Sequence, residues 1–389
     1  DGEWRANPAD PRILLRRTPE DTIGPFYRLV SEGVDSDNDG ALNEDGIGGL
    51  DMNRNFPRNW EREHIQEGAG PFPLSEPETY ATVRFLHGLR NLAGIVHGHT
   101  SGGFVYRLPS AEDPALLDPR DLSLILHLGE EYTRTTGRPV RPSSTHPTNH
   151  RYGTLISWGY WDKGVIGWVP EYVPPDSWVT DYDGDGRISE TERLRFNDEQ
   201  LGGRYFKPWT AYEHPQLGRV EIGGWHTRFW GQNPPREFLE AETSQQLHWI
   251  MYLAEQTPRV VLTPPQLRPA PDGVVEVEIT VHNEGFLPTH LTVRGHVGRA
   301  MADGRLVDQV VPPPVVQLEL EQAELIEGAR RTVTPHLAGQ EPYTGITSAR
   351  AHTLRWLVRP TGPDATVRVR VEAGPGGVQH TEAVRLSGG

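Results

Sequence analysis

Within Gly49-Leu50-Asp51-Met52-Asn53-Arg54-Asn55-Phe56, an amide and a guanidinium stand side by side at Asn53 and Arg54. A guanidinium presents a rigid fork of N–H donors that matches a carboxylate in bidentate fashion. The neighbouring amide adds a donor without adding charge. The pair suits the capture of a ligand carboxylate. A second kind of chemistry is written in two acidic runs. Asp181 to Glu192 fits the twelve-residue calcium loop, with Asp181, Asp183 and Asp185 at positions 1, 3 and 5. Gly186 stands at position 6, the carbonyl of Arg187 at 7, Ile188 at 8 and Glu192 at 12. A hard cation wants about six to eight oxygens, and such a loop supplies them at this spacing. Asp35, Asp37, Asp39 and Gly40 repeat the start of the pattern, but Gly46 holds position 12, leaving Glu44 or Asp45 as the last carboxylate. Both runs read as structural Ca²⁺ loops, without flanking helices.

The elements that must position these residues follow from periodicity. Residues 75–92 read as a helix, with Ser75 as cap, Glu78 completing a capping box, and Val83, Leu86, Leu89 and Leu92 at helical spacing. Ala93 to Val96 reads as a short buried strand, and helices fit Pro119 to about Thr136 and Glu237 to about Gln256. Ile166 to Val169 reads as another strand. Strands alternating with helices predict an α/β layer with ligands at strand ends. The texture changes near Pro258 to alternating runs at Val274–Val281, Leu291–Val293 and Thr366–Val371. These predict a small antiparallel β-sandwich over 258–389, after a domain of 1–257.

The chain has 389 residues, with 38 basic and 53 acidic side chains and a net charge of −15. The acidic balance argues against a general nucleic-acid binder, which needs Lys and Arg for phosphates. With no cysteine, disulfides and thiolate metal sites are excluded. No apolar run approaches the roughly 20 residues of a membrane span. The chain opens at Asp1 without an initiator Met, and reads as a fragment or processed chain.

Taken in order, these motifs resemble the zinc carboxypeptidases of the carboxypeptidase A type. The segment around Asn53-Arg54 looks like the family motif that grips the C-terminal carboxylate of a peptide. His99-Thr100-Ser101-Gly102-Gly103 resembles the turn that carries the third zinc ligand, with His97 as its competitor. Gly164 to Glu171 resembles the strand ending in the catalytic glutamate, with Ile156-Ser157-Trp158 at the family spacing upstream. The resemblance implies Glu171 as general base and then acid, Tyr152 as the residue capping the bound peptide, and Ile156 at the pocket floor. Glu213 to Trp225 followed by Asn233-Pro234-Pro235 matches a bacterial branch. The family's His-x-x-Glu ligand pair and oxyanion Arg belong upstream of Gly49. His64-Ile65-Gln66-Glu67 has that spelling but follows the Asn-Arg motif.

The resulting expectation is a mixed-sheet carboxypeptidase-like domain, incomplete at its N-terminus, followed by the β-sandwich. Its intact parent would be a zinc metallocarboxypeptidase acting on peptide or protein C-termini, with one Zn²⁺ and one or two Ca²⁺, secreted or periplasmic. The fragment alone would be inactive, lacking two zinc ligands and the oxyanion Arg. The alternative is a calcium-stabilised, non-catalytic peptide-binding protein that keeps the carboxylate clamp. A third reading is an adhesive or cell-surface protein whose sandwich carries the function.

Overall fold

The structure, a computed structural model, describes residues 2–35, 42, 49–111, 116–145, 151–296 and 310–386. In chain order the elements are β1 (Trp4–Ala6), β2 (Leu14–Arg16), α1 (Pro77–Gly88), β3 (Gly94–Val96), β4 (Phe104–Arg107), α2 (Pro119–Thr136), β5 (Val140–Pro142), α3 (Leu155–Lys163) and β6 (Ile166–Glu171). There follow α4 (Glu190–Leu201), β7 (Phe206–His214), β8 (Gly218–Trp225), α5 (Arg236–Glu255), β9 (Val260–Leu262), β10 (Gln266–Pro269), β11 (Val275–Asn283) and α6 (Val293–His296). The last are β12 (Val315–Glu321), β13 (Ala323–Glu327), β14 (Arg331–Val333), β15 (Ala351–Pro360), β16 (Thr366–Glu372), β17 (Val378–His380) and β18 (Val384–Arg385).

The chain divides into two compact units. The first comprises Asp1–Asp51, Gly98–Phe104 and Pro170–Gln246. Its β7–β8 hairpin is antiparallel, with a register shift between Lys207 and Thr210. Ile13, Leu194 and Phe206 make one small core, with Leu15, Trp209 and Trp225 packed against it. Phe196, Leu201, Tyr205 and Trp230 make another. Here Trp225 stacks on Trp230 at 4.1 Å between ring centroids. Arg12 ties the N-terminal segment to α4, donating to Asp198 at 2.8 Å while also pairing with Asp10.

The second unit comprises Met52–His97, Val105–Val169 and Leu247–Gly389. A four-stranded sheet runs in the order β3-β6-β4-β5, with β3 and β6 parallel and Ile95 opposite Gly167. Gly167 lies against Ile156 of α3, and the next residue, Trp168, meets Trp249 of α5 edge-on. Successive strand residues point to opposite faces, so α3 and α5 cover opposite faces of the sheet. Tyr132 of α2 meets Trp249 edge-on at 5.1 Å, placing α2 with α5. Helix α2 matches its predicted span, capped by the Asp118 carboxylate on Arg120 N at 2.9 Å and stopped by Gly137 in the left-handed region.

Two antiparallel five-stranded sheets occupy the C-terminal part of this unit: β10-β11-β15-β13 with β9, and β14-β12-β16-β17 with β18. Strand β11 buries every second residue, Val275, Val277, Ile279 and Val281, and β16 does the same with Val367, Val369 and Val371. These meet Val316, Leu318, Leu354, Trp356 and Val358 in one core. Full burial of each such side chain contributes about 1.5–3 kcal/mol.

Three local expectations are corrected. The helix predicted over 75–92 is α1, Pro77–Gly88, and Ser75 does not cap it. The Ser75 hydroxyl instead accepts from Asn55 Nδ2 and donates to Glu76. Leu291–Val293 is no strand: Leu291 has φ 64° and the chain turns there into α6. The Asp181–Glu192 loop, expected without flanking helices, leads directly into α4 on its outgoing side.

Candidate functional site

In the second unit, Asn53 and Arg54 lie in a single helical turn, Met52–Arg54, and both are buried. The Asn53 carboxamide oxygen accepts from Leu155 N at 2.9 Å, at the N-terminus of α3. Arg54 donates from Nη1 to the Asn53 carbonyl at 2.8 Å, which fixes the guanidinium against its own backbone. The segment is laced to the chain before α3: Phe56 N donates to Gly153 O at 2.9 Å, and Gly153 N to Asn59 O at 3.0 Å. Gly153 has φ 61°, and a Cβ there would stand 2.1 Å from the Arg54 carbonyl. Only glycine allows that approach.

Asn55, which the sequence reading passed over, is the hub of this turn. Its Nδ2 donates to Ala69 O, Phe72 O and Ser75 Oγ, and its Oδ1 accepts from Thr79 Oγ1. The signal for it was present: a second side-chain amide directly after the Asn-Arg pair, followed by Phe56, which is itself buried. Tyr152 is half-buried, with its backbone N–H on Gln66 Oε1 at 3.0 Å. Ile156 is 1% exposed and packs on Gly167. His64 and Glu67 lie exposed in a turn where Gln66 N donates to Arg62 O.

In the first unit, the parallel ladder brings His99 beside Glu171. His99 N donates to Pro170 O at 2.8 Å, and Tyr172 N returns a bond to His99 O at 3.1 Å. The Gly-rich turn is held from the same strand, with Gly102 N on Val173 O and Gly103 N on Glu171 O, both at 2.7 Å. His99 Nδ1 and Glu171 Oε1 are 4.0 Å apart, the carboxyl 9% and the imidazole 27% exposed. A buried carboxylate next to an imidazole is an arrangement able to accept and return a proton. The outer side of the turn is tied by Thr100 Oγ1 donating to Gln232 O.

The carboxylates of Asp181, Asp183 and Asp185 come within 4.8 Å of one another. Each serves the loop itself. Asp181 accepts from Gly184 N and Gly186 N, Asp183 from Asp185 N, and Asp185 from Arg187 N. Glu192 accepts from Tyr182 N at 2.7 Å and, in a reciprocal capping box, from Ser189 N at 2.8 Å. Those backbone and hydroxyl donors hold its carboxyl at about 2, far below the usual range. Asp35 is anchored through Gln216, whose Oε1 accepts from Asp35 N. Asp37, Asp39 and Asp45 lie outside the described residues.

Residues 18–170 match the sequence model of the zinc carboxypeptidase family. The match covers less than half of the chain, so the likeness to that family is a likeness of this segment. Residues 259–384 match a domain of unknown function. No curated protein matches the chain. Among solved structures, one similar chain is DesR, a beta-glucosidase from Streptomyces venezuelae in complex with D-glucose, at 13% identity and a TM-score of 0.17. The match covers 33% of this chain and spans only 15% of that one, and it carries no argument.

A zinc carboxypeptidase implies zinc, and a catalytic site takes about three protein ligands and an open position. Among the described residues, the one group of three or more His, Asp or Glu with converging donor atoms is Asp181, Asp183 and Asp185. His99 belongs to no such group. The described residues therefore do not assemble a zinc-binding set, and no step through the metal follows from them.

Proposed function

We propose that this carboxypeptidase-family chain recognises the free C-termini of peptides or proteins. The observation that carries the reading is the buried Asn53-Arg54 turn, pinned to the start of α3 and admitted by Gly153. A guanidinium whose plane is already fixed loses little freedom on taking a carboxylate, which favours binding. Arg54 supplies the charge and the fork, and Asn53 a neighbouring amide. Tyr152 and Ile156 are the candidates for covering the bound end and for selecting its side chain.

Hydrolysis is the family's reaction. In that reading Glu171 would take a proton from the attacking water and return it to the leaving amine, and His99 would be one ligand of a zinc whose other ligands are not among the described residues. The 4.0 Å approach of His99 and Glu171 supports the pairing. The second reading, a peptide-binding protein without hydrolysis, is favoured by the lack of a three-donor set around His99 among the described residues. In both readings Asp181, Asp183, Asp185, the Arg187 carbonyl and Glu192 form a Ca²⁺ loop that braces α4. A secreted or periplasmic setting suits such a loop, and a domain boundary at 257/258 separates a C-terminal β-sandwich.

Zinc analysis of the purified chain, with release of C-terminal residues from free-acid and amidated peptides, decides between the two. Stoichiometric zinc with release from the free acid alone supports the hydrolase. Binding of the free acid without release supports the binding protein. Indifference to amidation contradicts both.

A further inference from the structure

The C-terminal sheets of the second unit are joined to α2 and α3 by residues 290–296, and the joint is built around three imidazoles. His290 and His336 are buried and His296 is half-buried. Their ring centroids stand 5.1, 5.5 and 5.5 Å apart. The nitrogens of the three do not draw together within 4.8 Å, so they are not a metal site. His290 Nδ1 donates to Thr292 O at 3.0 Å, and its Nε2 faces the Thr347 hydroxyl at 3.3 Å. His336 Nδ1 bonds Thr289 Oγ1 at 3.0 Å, and its ring is also turned toward the Val311 backbone.

The same segment makes the contacts that hold the joint. Thr292 Oγ1 donates to Gly164 O at 2.8 Å. Arg294 donates twice to Trp161 O, at 3.0 and 2.8 Å. The buried Asp121 of α2 accepts from Val293 N at 2.7 Å, Arg294 N at 3.1 Å and Tyr160 OH at 2.7 Å. Gly295 and Gly164 approach so closely that a Cβ on Gly164 would stand 2.5 Å from Gly295 Cα. Among the described residues, the other charged or titratable groups at the joint include Arg294, Asp121, Tyr160 and Lys163, and Asp118 acts on both Asp121 and Tyr160. His296 and His336 act electrostatically on His290, and His296 on His336.

We propose that this histidine-filled joint is a pH-sensitive latch, which holds residues 290–296 against α2 and α3 at neutral pH and releases them in acid. Closing the joint disfavours charge on three neighbouring imidazoles, because burial penalises each cation and the cations repel one another. Burial holds His290 down at about 3 and His336 at about 4, and lowers His296 as well, from an ordinary 6.5. A group depressed in the closed state stabilises it fully above 6.5 and loses that effect as pH falls toward 4 and 3. Asp121, pushed up to about 6 by burial, acts in the opposite sense between 3.8 and 6. At pH 5 His290 and His336 each favour opening by about 30-fold and Asp121 opposes it by about 10-fold, leaving a net shift on the order of 100-fold.

The chain has no cysteine, so a single introduced thiol reports the joint. Val293→Cys places it in the joint and Val369→Cys in the sheet core, both at buried positions. Labelling by dithiodipyridine, which reacts in acid, is compared with a short unstructured thiol peptide at each pH. The Val293→Cys rate is expected to rise by about 100-fold from pH 7.5 to 5 while the Val369→Cys rate stays flat. Adding His290→Gln and His336→Gln should remove the rise and leave the opposing effect of Asp121, a fall of about 10-fold. A rate flat with pH, or parallel rises at both positions, would overturn the latch. Should the glutamine variants not fold, carbon-13 histidine spectra of the unaltered chain decide. Imidazoles that stay neutral until the joint opens support the latch, and titration near 6.5 without opening contradicts it.

Discussion

At the scale of residues, the clamp and the acidic loop each rest on backbone geometry that the side chains alone do not reveal. Gly153 and Gly218 both have positive φ, but only Gly153 has a carbonyl where a Cβ would go; Gly218 has nothing within 4 Å. Gly218→Ala should therefore cost about 1 kcal/mol, the left-handed penalty alone. Gly153→Ala should cost more than about 2 kcal/mol and weaken binding of peptide carboxylates. Urea midpoints of the two variants check the contrast. Glu192 makes a second prediction. Its carboxyl is held at about 2, against an ordinary 4.5, by the Ser189 and Tyr182 donors. A depressed carboxylate contributes stability above 4.5 and loses it as pH falls toward 2. Glu192→Gln should reduce the acid dependence of the melting temperature in that window. Millimolar Ca²⁺ should raise the melting temperature of the unaltered chain, and Asp181→Asn should abolish the rise. No calcium effect in the unaltered chain would remove the loop from the list of cation sites.

At the scale of elements, periodicity was legible wherever burial alternates or recurs. The alternation in β11 and β16 was read directly because each strand puts one face into the shared core. Helix α2 carried both its cap and its glycine stop in the sequence. What stayed hidden depended on partners distant in sequence. Ser75 has the spelling of a capping box, yet Asn55, 20 residues earlier, claims its hydroxyl. Leu291–Val293 has the spelling of a strand, yet the bonds to Asp121 and Gly164 turn it into α6. Such tertiary contacts override local pattern, and no window on the sequence contains them. The amide–guanidinium pair Asn53-Arg54 was legible as chemistry, whereas the bond from Leu155 N and the close passage of Gly153 were not. Two substitutions test the element reading by denaturant unfolding. Ile279→Ala, at a fully buried position of β11, should cost about 2–5 kcal/mol. Asp118→Ala, which removes the α2 cap, should cost about 1 kcal/mol.

At the scale of the whole molecule, the carboxypeptidase-family segment of 18–170 contributes residues to both compact units, and the segment of 259–384 lies in the second. The family match therefore spans Asn53, Arg54 and His99 but stops one residue short of Glu171, while the imidazole joint belongs to the C-terminal sheets and to the helices they touch. The net charge of −15 gives a peptide carboxylate no general electrostatic attraction to this protein. Any preference for a free C-terminus must come from a local site, and Arg54 is the residue assigned to it. Calorimetric titration with one peptide in free-acid and amidated forms, on the unaltered chain and on Arg54→Gln, tests that assignment most directly. The free acid should bind at least about 10-fold more tightly than the amide, as expected for a charge-assisted bidentate pair, and Arg54→Gln should erase the difference. Equal affinity for the two forms, or a preference that survives Arg54→Gln, would contradict it.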